Sequence, residues 1–134
     1  MILSKNGQII DTILFELSAP ISALNPIISA QAMFVVQSFL NFFVPSGSGQ
    51  AVLTMPIMAP LADLVGVSRQ TAVLTFQMGD GFTNMLIPTS AVTISVLTLA
   101  DVPWEKWARW FLPLALIFSL LGFLLLIPPF LINW

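Results

Sequence analysis

The chain has no cysteine and no histidine, and charge is scarce: four Lys or Arg and six Asp or Glu among 134 residues, 7% of the total. Soluble domains ordinarily carry about 25% charged residues. The two missing residue types exclude disulfides, thiol catalysis, zinc and haem ligation, and imidazole acid–base chemistry together. The missing charge excludes a nucleic-acid binder, which needs clustered Lys and Arg to neutralise phosphates. It also leaves too little polar surface to solvate a particle of this size. What the chain has in excess is apolar: 57% hydrophobic residues and a mean hydropathy of +0.98 make a lipid bilayer part of its solvent. Ten prolines and seven glycines are many for spanning helices, and their positions organise the rest of the chain.

The few charges leave uncharged runs at 17–62, 81–100 and 110–134. The last run supports a transmembrane helix over 104–132, with Trp104, Trp107 and Trp110 at its start either at headgroup level or packed on a neighbour, and Trp134 near the other face. The first run is interrupted by Pro45-Ser46-Gly47-Ser48-Gly49. From Gln50 to Asp63 only about 21 Å of helix fits, short of a roughly 30 Å hydrocarbon core, and Pro56 and Pro60 lie within it. A re-entrant helical hairpin over 26–64 with its tip at 45–50 suits this better than two spans, and its tip must face protein or a water-filled cavity. Asn25-Pro26 reads as its N-cap and first helical position. Over 69–100 the spacing predicts a discontinuous transmembrane helix, with Gly79-Asp80-Gly81-Phe82-Thr83-Asn84 as the break at 79–84. Upstream, Ile9, Ile10, Ile13, Leu14, Leu17 and Ile21 share one helical arc, which predicts an interfacial helix over 8–24. The fold class expected is an all-α integral membrane chain of these four elements.

Asp80 is the one carboxylate placed near mid-depth, where an acid marks a functional site, with gating or cation binding the usual reasons. Gln31, Gln37, Ser38 and Asn41 share about a third of one helix circumference, and Thr89, Ser90 and Thr93 form a second polar patch. Singly, such groups are interhelical glue. Two broken helices in succession weigh differently: backbone N–H groups at a half-helix start attract anions, while unwound carbonyls and hydroxyls take a cation. The tip offers Ser46, Gly47, Ser48, Gly49 and Gln50, and the break offers Gly79, Asp80, Gly81, Thr83 and Asn84. Serine proteolysis would need a base beside Ser48, aspartyl proteolysis a second buried carboxylate, and a P-loop a Lys after the glycines; none is present. No enzymatic reading and no dedicated metal centre follow, and a pore-loop channel is the main alternative to a carrier.

The stretches Asn41-Phe-Phe-Val-Pro-Ser-Gly-Ser-Gly-Gln50, its continuation to Asp63, Phe76-Gln-Met-Gly-Asp-Gly-Phe-Thr-Asn84 and Ile87-Pro-Thr-Ser90 resemble the C-terminal part of the YfcC-type, C4-dicarboxylate anaerobic carrier (DcuC-like) family of the ion transporter superfamily. The resemblance covers about 7–114. It implies a secondary transporter of the bacterial inner membrane, multi-pass, built from two inverted repeats and homodimeric at full length. It also implies ion and substrate sites between a re-entrant hairpin tip and the unwound helix beside it. The substrate set implied is Asn41, Ser46, Gly47, Ser48, Gly49, Gln50, Thr83, Asn84, Thr89 and Ser90. Asp80, with Gly79 and Gly81, would couple Na⁺ or H⁺, a Na⁺ lying near Ser48 and Asp80. Related carriers have Ser-Asn-Thr at the tip where this chain has Ser46-Gly47-Ser48. The chain holds one hairpin and one broken helix, so it reads as a fragment or truncated product whose partners are the bilayer, a small-molecule substrate and the missing N-terminal repeat. The function expected is movement of a small organic anion or amino acid, by dicarboxylate or basic amino acid exchange or symport. The alternative is a small autonomous pore-loop channel or accessory membrane subunit.

Overall fold

The computed structural model describes residues 25–132, and every regular element among them is a helix. The interfacial helix expected over 8–24, and Trp134, lie outside the described residues. In chain order come α1 (Pro26–Phe43), α2 (Gly47–Leu64), α3 (Arg69–Asn84), α4 (Ala91–Leu99), α5 (Trp104–Leu125) and the single turn α6 (Pro128–Leu131). Asn25, extended at φ −60° and ψ 140°, accepts the Ile27 N–H on its side chain at 3.0 Å, and Pro26 occupies the first helical position, where no N–H is needed.

The link between α1 and α2 is shorter than the tip of 45–50 read from the sequence. Ser46 is the N-cap of α2, its Oγ accepting the Gly49 N–H at 3.3 Å, so Gly47, Ser48, Gly49 and Gln50 are already the first helical turn. α2 therefore has 18 residues, about 27 Å, and carries Pro56 and Pro60 inside it. It stops at Gly66, whose φ of +71° suits a residue without Cβ, while Val67 N–H returns to Ala62 O at 2.9 Å. Arg69 then forks onto Asp63, with Nη2 to Oδ2 at 2.7 Å, an exposed ion pair worth little by itself.

The position of the break in the discontinuous helix also differs from expectation. Residues 79–84 are helical, and the interruption lies at 85–90. Pro88 is the physical cause, because it donates no N–H and its ring would collide with the carbonyl of Asn84, where α3 ends. Gly79 serves a different purpose from unwinding. A Cβ there would stand 2.9 Å from Gln37 Cβ and 3.0 Å from the Ser38 backbone nitrogen, so glycine lets α1 and α3 approach closely.

α3 is the central element, packing most extensively on α1, then on α2 and α5. Ala30 and Met33 of α1 meet Met58, Leu61 and Ala62 of α2 and Ala72 of α3 in one buried cluster. In a second, the Phe34 ring meets Phe82 and Phe123 edge-on, at 6.5 and 5.3 Å between centroids, and Phe82 stacks on Phe118. Gly122 of α5 leaves room for these rings, since a Cβ would lie 3.0 Å from the Phe34 ring tip.

The distribution of polarity is inverted relative to a water-soluble core. Gln37, Asn41, Gln50, Thr71, Thr75 and Ser29 are among the largest fully buried side chains, whereas Phe39, Phe43, Leu116 and Leu120 are more than 60% exposed. Polar groups turned inward and hydrocarbon turned outward are the arrangement expected in lipid. Two stretches, Pro26–Phe43 and Trp104–Leu131, are long and apolar enough to cross a bilayer.

The glycines of α3 give a paired test. Gly79→Ala forces backbone apart and should lower stability by about 1–3 kcal/mol. Gly81, with nothing within 4 Å of an added Cβ, should accept alanine with a gain of about 0.5–1 kcal/mol. Apparent melting temperatures of the detergent-solubilised protein check both, and equal effects at the two positions would contradict the packing described.

Candidate functional site

Two helix N-termini point into one hollow. α2 begins at Gly47 after the Ser46 cap, and α4 begins at Ala91 after Ser90, whose Oγ accepts the Thr93 N–H at 3.4 Å. The first N–H groups of each helix have no carbonyl four residues back to bond, and the macrodipole makes both ends partially positive. Between them lies a pocket of about 480 Å³, lined by Pro45, Ser46 and Gly47 from the α1–α2 link, Asn84 and Met85 from the end of α3, and Ser90, Val92 and Thr93 from the start of α4. N–H-rich helix starts of this kind suit an anionic group.

Asp80 stands at the edge of this pocket. Its Oδ1 accepts from Asn84 Nδ2 at 2.8 Å, and its Oδ2 would be 3.1 Å from a Cβ at Gly47. The carboxylate thus lies against the positive end of α2, and Gly47 is the residue that leaves it space. Asn41, fully buried, supports the arrangement from behind: its Nδ2 donates to Asp80 O at 3.1 Å and to Thr83 Oγ1 at 2.7 Å, and Thr83 Oγ1 donates to Gly79 O. Gln50, also fully buried, donates through Nε2 to Gln37 O at 2.9 Å and Gln37 Oε1 at 2.8 Å, pinning the first turn of α2 to α1. Asn84 Oδ1, Asn41 Oδ1, Gln50 Oε1, Gln37 Nε2 and Thr54 Oγ1 are buried without a protein partner, an interior suited to water or a polar ligand.

Of the residues singled out by sequence, Ser46, Gly47, Asn84 and Ser90 line the pocket, with Asp80 beside it. Asn41, Thr83 and Gln50 form the support behind it. Ser48 and Thr89 are exposed and do not line it, and Gly49 is the residue whose N–H Ser46 accepts. Gly79 and Gly81 do not unwind the helix: the first is packed on α1 and the second faces open space. A wider hollow of about 620 Å³ at Pro103, Glu105, Lys106, Arg109 and Trp110 lies along the first turns of α5 and shares no residue with this pocket.

What the sequence did not reveal is that Trp104, Trp107 and Thr93 satisfy the carbonyls of the break. Trp107 Nε1 donates to Met85 O and Trp104 Nε1 to Leu86 O, both at 2.9 Å, and Thr93 Oγ1 donates to Asn84 O at 2.7 Å. Trp107 also stacks on Phe111 at 5.1 Å, while Trp110 is 70% exposed. Of the two sequence readings of these indoles, Trp104 and Trp107 take the inward one. The available signal was their spacing, since positions i and i+3 share a helix face and so reach successive carbonyls of one loop.

The profile of the family described as C4-dicarboxylate anaerobic carrier (DcuC) matches residues 1–130. The chain is 45% identical over 114 residues to the Escherichia coli (strain K12) protein named "Putative basic amino acid antiporter YfcC", covering 81% of this chain and 22% of that protein. It is 37% identical over 123 residues to an uncharacterized Haemophilus influenzae protein, covering 92% of this chain and 24% of that one. The chain therefore spans about a quarter of the length of the curated relatives it matches. In fold it is similar to the crystal structure of the Alcanivorax borkumensis YdaH transporter, with a TM-score of 0.84 at 20% identity over 98% of this chain and 30% of the other. With the family profile covering all but the last four residues and two relatives above 30% identity, the chain belongs to the C4-dicarboxylate anaerobic carrier family, a family of membrane transporters rather than enzymes.

Proposed function

We propose that the chain is the C-terminal part of a secondary transporter that moves a small organic anion or amino acid across the bacterial inner membrane. The observation that carries the reading is the convergence of two capped helix N-termini, at Ser46 and Ser90, on one pocket with Asp80 at its edge. A carboxylate of the substrate would sit on the N–H groups of these helix starts, helped by the Ser46 hydroxyl and the Asn84 amide. Asp80 would take the coupling Na⁺ or H⁺, or a substrate amine. The family description and the YfcC relative support a dicarboxylate or a basic amino acid as the substrate class, moved by exchange or symport.

The hairpin of α1 and α2 is read as re-entrant. Support comes from its polar tip at Pro45–Gly47 lining the pocket, from the inward amides of Gln37, Asn41 and Gln50, and from prolines within the returning helix. The rest of the carrier, an N-terminal inverted repeat, would complete the site, and the full-length protein is read as a homodimer.

Two measurements on the intact carrier test this. In proteoliposomes loaded for exchange or given an ion gradient, Asp80→Asn should reduce uptake of labelled succinate or labelled arginine by about tenfold or more, with its ion dependence lost. Unchanged uptake and unchanged ion dependence would remove Asp80 from the mechanism. On a cysteine-free background of the intact carrier, Ser48→Cys should react with a membrane-impermeant maleimide from one aqueous side, and saturating succinate or arginine should slow that reaction. Free reaction from bulk water that neither succinate nor arginine slows would reduce the hairpin to a surface loop.

A further inference from the structure

We propose that Trp104 and Trp107 are positioning residues that bias the charge preference of the pocket, by holding two carbonyls of the break, Met85 O on its wall and Leu86 O next to it, in hydrogen bonds. Unwound carbonyls in a broken helix ordinarily serve as cation ligands. Here the two that follow α3 directly, Met85 O and Leu86 O, each accept an indole N–H at 2.9 Å, and Asn84 O accepts the Thr93 hydroxyl at 2.7 Å. Ile87 O accepts the Ser90 N–H at 3.3 Å, and Thr83 O accepts those of Leu86 and Ile87. From Thr83 to Ile87, then, every carbonyl has a donor from this chain. Met85 itself lines the pocket, so one of these capped groups belongs to a residue of its wall.

With the carbonyls from Thr83 to Ile87 bonded, the N–H groups at the starts of α2 and α4 are the positive backbone groups beside the pocket. Asp80 is the negative group that opposes them, and it is unaffected by the indoles, to which it makes no bond. The indoles come from α5, two adjacent turns of an apolar helix whose next tryptophan, Trp110, faces outward. The first turns of α5 thereby control a pocket to which they contribute no lining residue. This rests on the reading of the pocket as the substrate site only for its biological consequence; the electrostatic effect itself requires no transport.

The test uses the detergent-solubilised intact carrier on a cysteine-free background. Val92→Cys places a thiol on the pocket wall at a side chain that is 76% exposed, and Gln70→Cys, at an exposed position on the first turn of α3, serves as reference. The rate of reaction with an anionic sulfonatoethyl methanethiosulfonate is divided by that with a cationic trimethylammonium analogue, and the quotient at Val92→Cys is normalised to Gln70→Cys. Replacing Trp104 and Trp107 together by Phe keeps the rings and removes both donors, and should shift the normalised quotient toward the cation by about fivefold. Trp110→Phe should leave it unchanged, and Trp107→His, which keeps a ring N–H, should retain more of the native quotient than Trp107→Phe. A shift under about twofold in the double variant, or an equal shift in Trp110→Phe, would overturn the proposal. If the double variant fails to purify as a single species, the comparison of Trp107→Phe with Trp107→His decides by the same criterion. Absence of succinate and arginine uptake by the unmodified carrier would count against the transport reading alone, because the labelling quotient is read without transport.

Discussion

The structure depends on satisfying the backbone where α3 stops. A helix that stops leaves its last carbonyls without an intrahelical donor, and each buried one that stays unpaired is costly. Two other elements meet the demand: Thr93 of α4 bonds Asn84 O, and Trp104 and Trp107 of α5 bond Leu86 O and Met85 O, while Asn41 of α1 bonds Asp80 O one turn earlier, inside α3. The same bonds that stabilise the interruption therefore fix α4 and α5 around it. A break in one helix becomes the joint of the whole fold.

From that joint the pocket follows. Pro88 ends α3 and leaves Ser90 to begin α4, so a helix N-terminus appears beside the one that Ser46 begins. Close packing at Gly79 brings α1 against α3, and Gly47 makes room for the Asp80 carboxylate at the start of α2. The polar side chains behind the pocket then need an interior to occupy, and the outward-facing Phe, Leu and Val residues leave it to them. Pocket and packing share their residues, which is why Asn41, Asn84 and Thr93 cannot be assigned to one alone.

Much of this was readable in the chain itself. The scarcity of charge made it a membrane protein, the Asn25-Pro26 pair marked the start of α1, and the uncharged run after Arg109 marked α5. Ser46 and Ser90 stood out as polar residues near a glycine or proline, and the structure makes them the caps that begin α2 and α4, because cap chemistry is a local property. The errors share one cause. Gly79 and Gly81 looked like breakers, since glycine disfavours a helix taken alone, yet the neighbouring α1 makes Gly79 a packing requirement. The effective breaker, Pro88, lay a few residues further on in a motif already noticed for its hydroxyls.

What the sequence alone determined, then, is the solvent, the helical class and the polar residues that gather at the tip and the break, because composition, caps and proline act through bonds spanning a few residues. Which carbonyls those helices leave open, and which side chains close them, was decided only by the tertiary structure. Trp107 and Met85 are 22 residues apart, Asn41 and Thr83 42, and nothing in either local stretch encodes the meeting. Long-range hydrogen bonds of this kind depend on the distance and angle between whole helices, and those are set by the packing of all of them together.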